Sequence, residues 1–314
     1  MRPRHAHVRL VAGLVAAALA VGAPACGGDA EEAPSPSASR PEPAAPLADA
    51  PTILDAPSVD GVLKLLSQDH RAARRALGRH RLRYIADFSL VPPELPRPQP
   101  GEHLPRPREV HDELVLEWAG DDDRNPALSL RQGPDDEAAR AIVIVGETVY
   151  SRLPHRGWFH RDLDSELHWR WLDDAERCVH DLVEFAAPEL AVTRADADAD
   201  GERVTLKLSR GEGRDAAYVA AGEAQSWRSS ATITAIDGSV DFDRASGLWL
   251  RAALEVTFQL TDGEGRTLTG SATLAADREP AADLTVTPPA ESAPLPERIR
   301  YDAERRRLLD GLDR

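Results

Sequence analysis

The sequence predicts an α+β domain with one large antiparallel sheet, and three observations lead there. The longest pattern runs over 248–260, where Leu248, Leu250, Ala252, Leu254, Val256, Phe258 and Leu260 occupy every second position. Trp249, Arg251, Ala253, Glu255, Thr257 and Gln259 lie between them, so this strand has one apolar and one wettable face. At about 3.4 Å per residue it spans about 44 Å, far longer than an ordinary strand. Second, the other alternating runs fall into two groups instead of taking turns with helices, which disfavours a parallel doubly wound sheet. Third, the helical period appears over 57–79, 172–187 and 296–312, giving helix, strands, helix, strands, helix.

Over 57–79, Val59, Val62, Leu63, Leu66, Ala73 and Leu77 recur at three- and four-residue spacing. Pro57 or Ser58 opens this helix and Gly78 closes it, with Arg71, Arg74 and Arg75 toward the negative end of its dipole. Leu82, Tyr84, Ala86, Phe88 and Leu90 then alternate as a strand, as do Val110, Leu114, Leu116 and Trp118 after a Pro-rich loop over 92–107. Asp121-Asp122-Asp123 makes a turn before Leu128 and Leu130. The unbroken apolar run over 141–145 predicts a strand covered on both faces, and 148–152 with 157–163 predict a hairpin about Pro154-His155-Arg156-Gly157.

Over 172–187 the period changes, with Ala175, Cys178, Val179, Leu182, Val183 and Ala186 on one stripe, Asp173 or Asp174 as cap and Pro188 as stop. Val204, Leu206 and Leu208 resume the strands, followed by 231–236, by Val240 with Phe242, and by the long strand. Asp262-Gly263-Glu264-Gly265 turns the chain, and Leu268, Ala272 and Leu274 return antiparallel. Leu284 and Val286 predict a last strand, and 296–312 a closing helix with Ile299, Leu308, Leu309 and Leu312 inward.

The N-terminal fifty residues carry addressing information. Arg2, Arg4 and Arg9 precede an apolar stretch over 11–21 that is too short to span a bilayer, and Ala23-Pro24-Ala25 offers the small residues a signal peptidase requires. Residues 1–25 therefore read as a signal peptide. Cys26 follows the cleavage point and resembles the acylated cysteine of a bacterial lipobox, although Ala23 stands where Leu is usual. The same site suits an ordinary signal peptidase, which would leave a soluble chain beginning at Cys26. From 26 to 51 the Ala, Pro, Ser and Glu content predicts a flexible linker, leaving 52–314 as the folded domain. The expected location is the cell envelope, lipid-anchored at the outer membrane or the outer face of the cell membrane.

Composition excludes several functions. A net charge of −15 argues against a nucleic-acid partner. Two cysteines, Cys26 and Cys178, make no disulfide framework. His160-Arg161-Asp162-Leu163 spells the start of a kinase catalytic loop, but Leu167 replaces the required Asn and no glycine loop accompanies it. Asp196, Asp198 and Asp200 before Gly201 resemble the opening of a calcium loop, yet Lys207 occupies the position of the bidentate acid. A solvated turn is the simpler expectation. His155, His160, His168 and His180 fit no zinc spacing. No catalytic, metal or cofactor-binding residue is expected, and the chain is not expected to be an enzyme.

Two short stretches carry a family resemblance. The first is Gly238, Val240, Phe242, Asp243, Ser246 and Gly247, running into the long strand; the second is Gly146-Glu147-Thr148-Val149-Tyr150 with Gly157-Trp158. With the lipobox-like cysteine and the element order, they resemble the LolA/LolB-like and LppX-type bacterial lipoprotein group. The resemblance implies a half-barrel: one curved antiparallel sheet whose concave apolar face is covered by helices and holds lipid or acyl chains. It makes Leu250, Leu254, Val256 and Phe258 the expected concave wall, and the aromatic group just before the middle helix, with Trp158, Trp169 and Trp171, is read from its own position as candidate lining at the cavity entrance. The alternative is an envelope protein that acts by protein–protein contact, with a packed core and no ligand.

Overall fold

The computed structural model describes residues 47, 49–93, 107–120, 125–133, 139–163, 172–173, 175–198, 200–212, 231–262 and 265–295. The predicted signal peptide, Cys26, Asp121-Asp122-Asp123, His168, Trp169, Trp171 and the helix expected over 296–312 lie outside the described residues. Among those described, no helix is long and apolar enough to cross a membrane.

Among the described residues, twelve strands form one open, curved sheet: β1 (His80–Val91), β2 (Arg108–Trp118), β3 (Ala127–Gln132), β4 (Arg140–Val145), β5 (Thr148–Arg152), β6 (Trp158–Asp162), β7 (Leu190–Ala197), β8 (Arg203–Arg210), β9 (Thr232–Asp243), β10 (Trp249–Thr261), β11 (Thr267–Pro280) and β12 (Ala293–Pro294). Their order is β12-β6-β5-β4-β3-β2-β1-β11-β10-β9-β8-β7, antiparallel throughout except for the short β12–β6 pairing. The helices α1 (Ala50–Asp55), α2 (Val59–Leu66), α3 (His70–Leu77) and α4 (Cys178–Ala186) cover its concave face. This is the predicted α+β half-barrel.

Alternation sets the two faces. Leu82 and Tyr84, Leu114 and Leu116, Val204, Leu206 and Leu208, and Leu254, Val256 and Phe258 all point into a single apolar core with α2 and α4. The strands adjoining β10 are about as long as it is, so about 35 Å of backbone ladder is paired on both sides. Ala141, Val143 and Ile144 are all buried, as the unbroken apolar run of β4 predicts.

Several expectations need correction. The helix predicted over 57–79 is two, because the Asp69 carboxylate accepts the Arg71 N–H at 2.9 Å and starts a new N-terminus. Ser58 and Gly78 cap the outer ends, as predicted. Residues assigned to the linker begin α1, whose Ala50 and Leu54 are fully buried. β7 is an addition to the expected strands, and the two expected over 231–236 and at Val240 with Phe242 are one, β9, with Gly238 continuing the ladder opposite Leu254. No strand forms at Leu284 and Val286; the last pairing is at Ala293–Pro294 instead. Leu250 leaves the expected wall. The pairing of β10 with β9 slips between Trp249 and Arg251, so Leu250 occupies a bulge and is half-buried, while Trp249 turns into the core.

The turn before β10 anchors the helices. The Asp243 carboxylate accepts the Ser246 N–H at 2.7 Å and its hydroxyl, and Gly247 adopts φ +66° against Leu65 and Ala50 of the helices. Gln68 Nε2 donates to the Gly247 carbonyl at 2.8 Å, and Arg244 and Arg194 both hold Asp55 at the end of α1. A Cβ at position 247 would lie 2.6 Å from Leu65 and 2.7 Å from Ala50. Gly247→Ala is therefore expected to destabilise by about 1–3 kcal/mol in chemical denaturation, combining left-handed strain with a clash. A loss below about 0.5 kcal/mol would show that the turn does not fix α1 and α2 in place.

Candidate functional site

The concave face has two chemically distinct ends. One is apolar and partly open. Phe258 lies over Gly270, its register partner, where a Cβ would fall 2.2 Å from the ring. The ring meets Phe88 of β1 at 5.9 Å and stands edge-on to Phe185 of α4 at 5.1 Å. Phe258 is fully buried, but Phe88, Leu90, Leu182 and Phe185 are only half-buried and Val110 is 36% exposed. Leu90 faces Gly270 and Val110 faces Phe88 across the ladder, so these residues form one apolar border where strand ends meet the C-terminal half of α4.

The other end is polar and closed. Arg278, on the inner face of β11, is completely buried; its Nη2–H donates to Glu176 Oε2, and its guanidinium stacks on Trp249 with Cζ 4.0 Å from the ring centroid. Nη1 lies 3.5 Å from the Trp249 carbonyl. Burial raises the Glu176 carboxyl and lowers the Arg278 guanidinium, each countered by the partner's charge. His70 Nδ1 sits 2.9 Å from Asp173 Oδ1, and its ring tilts over Trp118 at 6.5 Å. The Cys178 thiol is buried beside this group, which pushes its pKa up and keeps it protonated at neutral pH.

His80 completes that end. Its Nδ1–H donates to the Gly78 carbonyl at 2.8 Å, and burial, assisted by Arg278, lowers its pKa to about 4. The unfolded value is near 6.5, so the folded state binds fewer protons between pH 6.5 and 4. The stability tied to this group is complete above pH 6.5 and is lost as pH falls toward 4, by about 3 kcal/mol. His80→Asn, which keeps a side-chain N–H donor, is expected to remove that part of the acid sensitivity. Urea midpoints from pH 7 to 4 that fall equally in both proteins would contradict the assignment.

Between the ends, the Tyr84 hydroxyl donates to Asp112 Oδ2 at 3.0 Å and Gln132 Nε2 donates to the same oxygen at 2.8 Å. Burial raises the Asp112 carboxyl while these donors oppose the rise.

The structure brings Leu254, Val256 and Phe258 onto one wall, but it packs them against the core helices. Trp158 begins β6, seven strand spacings from β10 (about 34 Å along the sheet), where it is half-buried and stacks on Arg152 at 5.2 Å. Trp169 and Trp171 lie outside the described residues. In the acidic turn, Asp198 Oδ1 accepts the Arg203 N–H at 3.1 Å and the Asp198 carbonyl accepts from Gly201, so this carboxylate closes the β7–β8 turn. His160 pairs with Ser292, and His155 occupies the positive-φ position of the β5–β6 turn. His180, Asp181 and Glu184 on α4 bring ligand-type atoms within 4.8 Å of one another, but Arg177 already engages Asp181 at 3.4 Å.

Glu176 and Arg278 were not anticipated as a pair, although the pattern holds both. Arg278 continues the inward parity of Leu268, Leu274 and Ala276, and Glu176 lies three and seven residues before Val179 and Val183 on the buried stripe.

Among solved structures, the chain is similar to one described as "Crystal structure of MucB in complex with MucA(peri)", at 14% identity and TM-score 0.28, over 76% of this chain and 61% of that one. No protein-family model matches the sequence, and no curated protein matches it.

Proposed function

We propose that the chain is an exported envelope protein, tethered to a membrane through acylated Cys26, that binds a hydrophobic ligand between its sheet and helices without catalysing a reaction. The observation that carries this is the half-exposed apolar border of Phe88, Leu90, Val110, Leu182 and Phe185, continuous with the buried wall of Val256 and Phe258. Contiguous apolar surface open to water marks a binding surface more often than a structural surplus. An acyl chain entering there extends the core by moving along α4, whose Phe185 is the side chain that shields Phe258. The ionisable groups with shifted pKa values support binding over catalysis, since Tyr84–Asp112 and Glu176–Arg278 are engaged in internal pairs.

The test is fractionation of producing cells, followed by mass spectrometry of the intact protein and of lipids extracted from it. Expected are a diacylglyceryl adduct on Cys26 and a bound lipid in near-stoichiometric amount. A free Cys26 in the soluble fraction removes the anchor, and protein that purifies without lipid and takes none up removes the ligand. Partner capture in that case would favour the contact reading, for which Ile85, 48% exposed on the convex face, is the motivating residue.

A further inference from the structure

Resting on that reading, we propose that Arg278 is the headgroup site for an amphiphile with an anionic carboxylate or phosphate group, and that Glu176 occupies it as an internal surrogate when no ligand is bound. A guanidinium offers five N–H donors in a planar fork that matches a carboxylate or phosphate through two parallel hydrogen bonds. Glu176 uses the fork incompletely. Its Oε2 takes the Nη2–H, while Glu176 Oε1 and Arg278 Nε, both fully enclosed, have no hydrogen-bond partner among the described residues. A buried pair this poorly satisfied costs stability relative to an apolar replacement, so its presence calls for a use beyond folding.

Position supplies the use. Arg278 projects from the same face of β11 as Ala276, Leu274 and Gly270, so a tail held at Arg278 lies on the wall that leads to Phe258. The two ends are eight residues apart, about 27 Å along the strand. Trp249 holds the guanidinium flat and shields it from water, which strengthens its attraction for an anion. Glu176 is joined to the helix that covers this wall, because the Arg177 N–H and Asp181 N–H continue the helical hydrogen bonds across the junction. Exchange of Glu176 for the ligand's anion therefore frees the start of that covering segment at the step in which the apolar wall is needed. The exchange keeps charge balanced: one carboxylate leaves the guanidinium for water and one anion replaces it.

The experiment uses the full chain, delipidated, and measures by calorimetric titration the binding of oleate, of oleyl alcohol as the uncharged chain, and of inorganic phosphate. The expected result is that oleate binds at least about tenfold more tightly than oleyl alcohol, as a charge-assisted pair requires. Arg278→Gln should reduce oleate to the affinity of the alcohol and leave the alcohol unchanged, while Glu176→Gln, which removes the competing charge, should tighten oleate. Phosphate alone should bind more weakly than oleate, since the tail supplies much of the affinity. Equal affinity for oleate and alcohol in the native chain overturns this inference and leaves the proposed ligand class standing. Failure of both to bind overturns the two together. Phosphate binding as tight as oleate at an Arg278-dependent site overturns the amphiphile in favour of a free anion. If near-ultraviolet dichroism shows Arg278→Gln to be unfolded, Glu176→Gln decides: unchanged or weakened oleate binding overturns the surrogate.

Discussion

Arg278→Met is expected to lower the unfolding free energy by about 3–5 kcal/mol, because it strands the Glu176 carboxylate in a site from which water is excluded. The reason lies in an asymmetry of buried charge. Two opposite charges taken out of water together roughly offset their desolvation by mutual attraction, whereas either alone does not. Burial already pushes the Glu176 carboxyl upward against the influence of Arg278, and removing the guanidinium takes away the largest opposing charge and leaves the smaller one of His70. The double variant Glu176→Leu with Arg278→Met is expected to recover the whole loss and to match or exceed the native chain, since both charges then give way to apolar atoms of similar size. Urea denaturation of the four proteins in the cycle measures the coupling directly. Additive losses would mean that the two residues do not act as a pair.

Phe258→Ala is expected to cost about 3–5 kcal/mol, through lost burial and the cavity left beneath α4. The ring fills the space that Gly270 leaves empty and receives the edge of Phe185, so it joins β10, β11 and α4 in one contact. Gly270→Ala is the complementary change. Its Cβ would meet the ring 2.2 Å away, and the ring has Phe88 on one side and Phe185 on another. Each single change should be strongly destabilising, and Gly270→Ala should be far milder when Phe258 is already Ala. Thermal unfolding of the pair and the double variant checks this. A Gly270→Ala penalty that persists without the ring would place its cause in the backbone instead.

Much of the sheet is legible because the alternation period is enforced by burial. β1, β2, β10 and β11 keep one parity over ten or more residues, and a slip of one position would expose every apolar side chain. What escaped detection breaks the period or lies at an edge. Among its described side chains, β7 has Leu190 and Val192 against the core and then runs into exposed Thr193 and Arg194, so its pattern is too short to stand out after Pro188. The bulge at Leu250 is invisible to a periodicity count, because Leu248 and Leu250 fit the apolar parity equally well whichever of them turns outward. The break at Ser67–Asp69 turns on one carboxylate choosing the Arg71 N–H over solvent.

The family-like turn shows the opposite case. Asp243, Ser246 and Gly247 were legible as a motif, and the structure gives each a mechanical role: two hydrogen bonds that fix the turn, and a left-handed residue that lets α1 and α2 come close. The candidate lining was legible in part. Leu254, Val256 and Phe258 share a wall because they share a parity, whereas Trp158 is near the middle helix in sequence but lies on β6, at the far side of the sheet. Arg278 was overlooked because a charged residue at the end of an alternating run looks like the point where the run reaches solvent.

The central claim, that the inner face beside α4 receives an apolar chain, is tested most directly by irradiating the delipidated protein with a long-chain fatty acid bearing a photoreactive diazirine near its tail, then mapping the adducts by peptide sequencing. Labels are expected on Phe88, Leu90, Leu182 or Phe185, competed away by unlabelled fatty acid. Labels confined to convex-face residues such as Ile85, or adducts that no excess of competitor reduces, would contradict it.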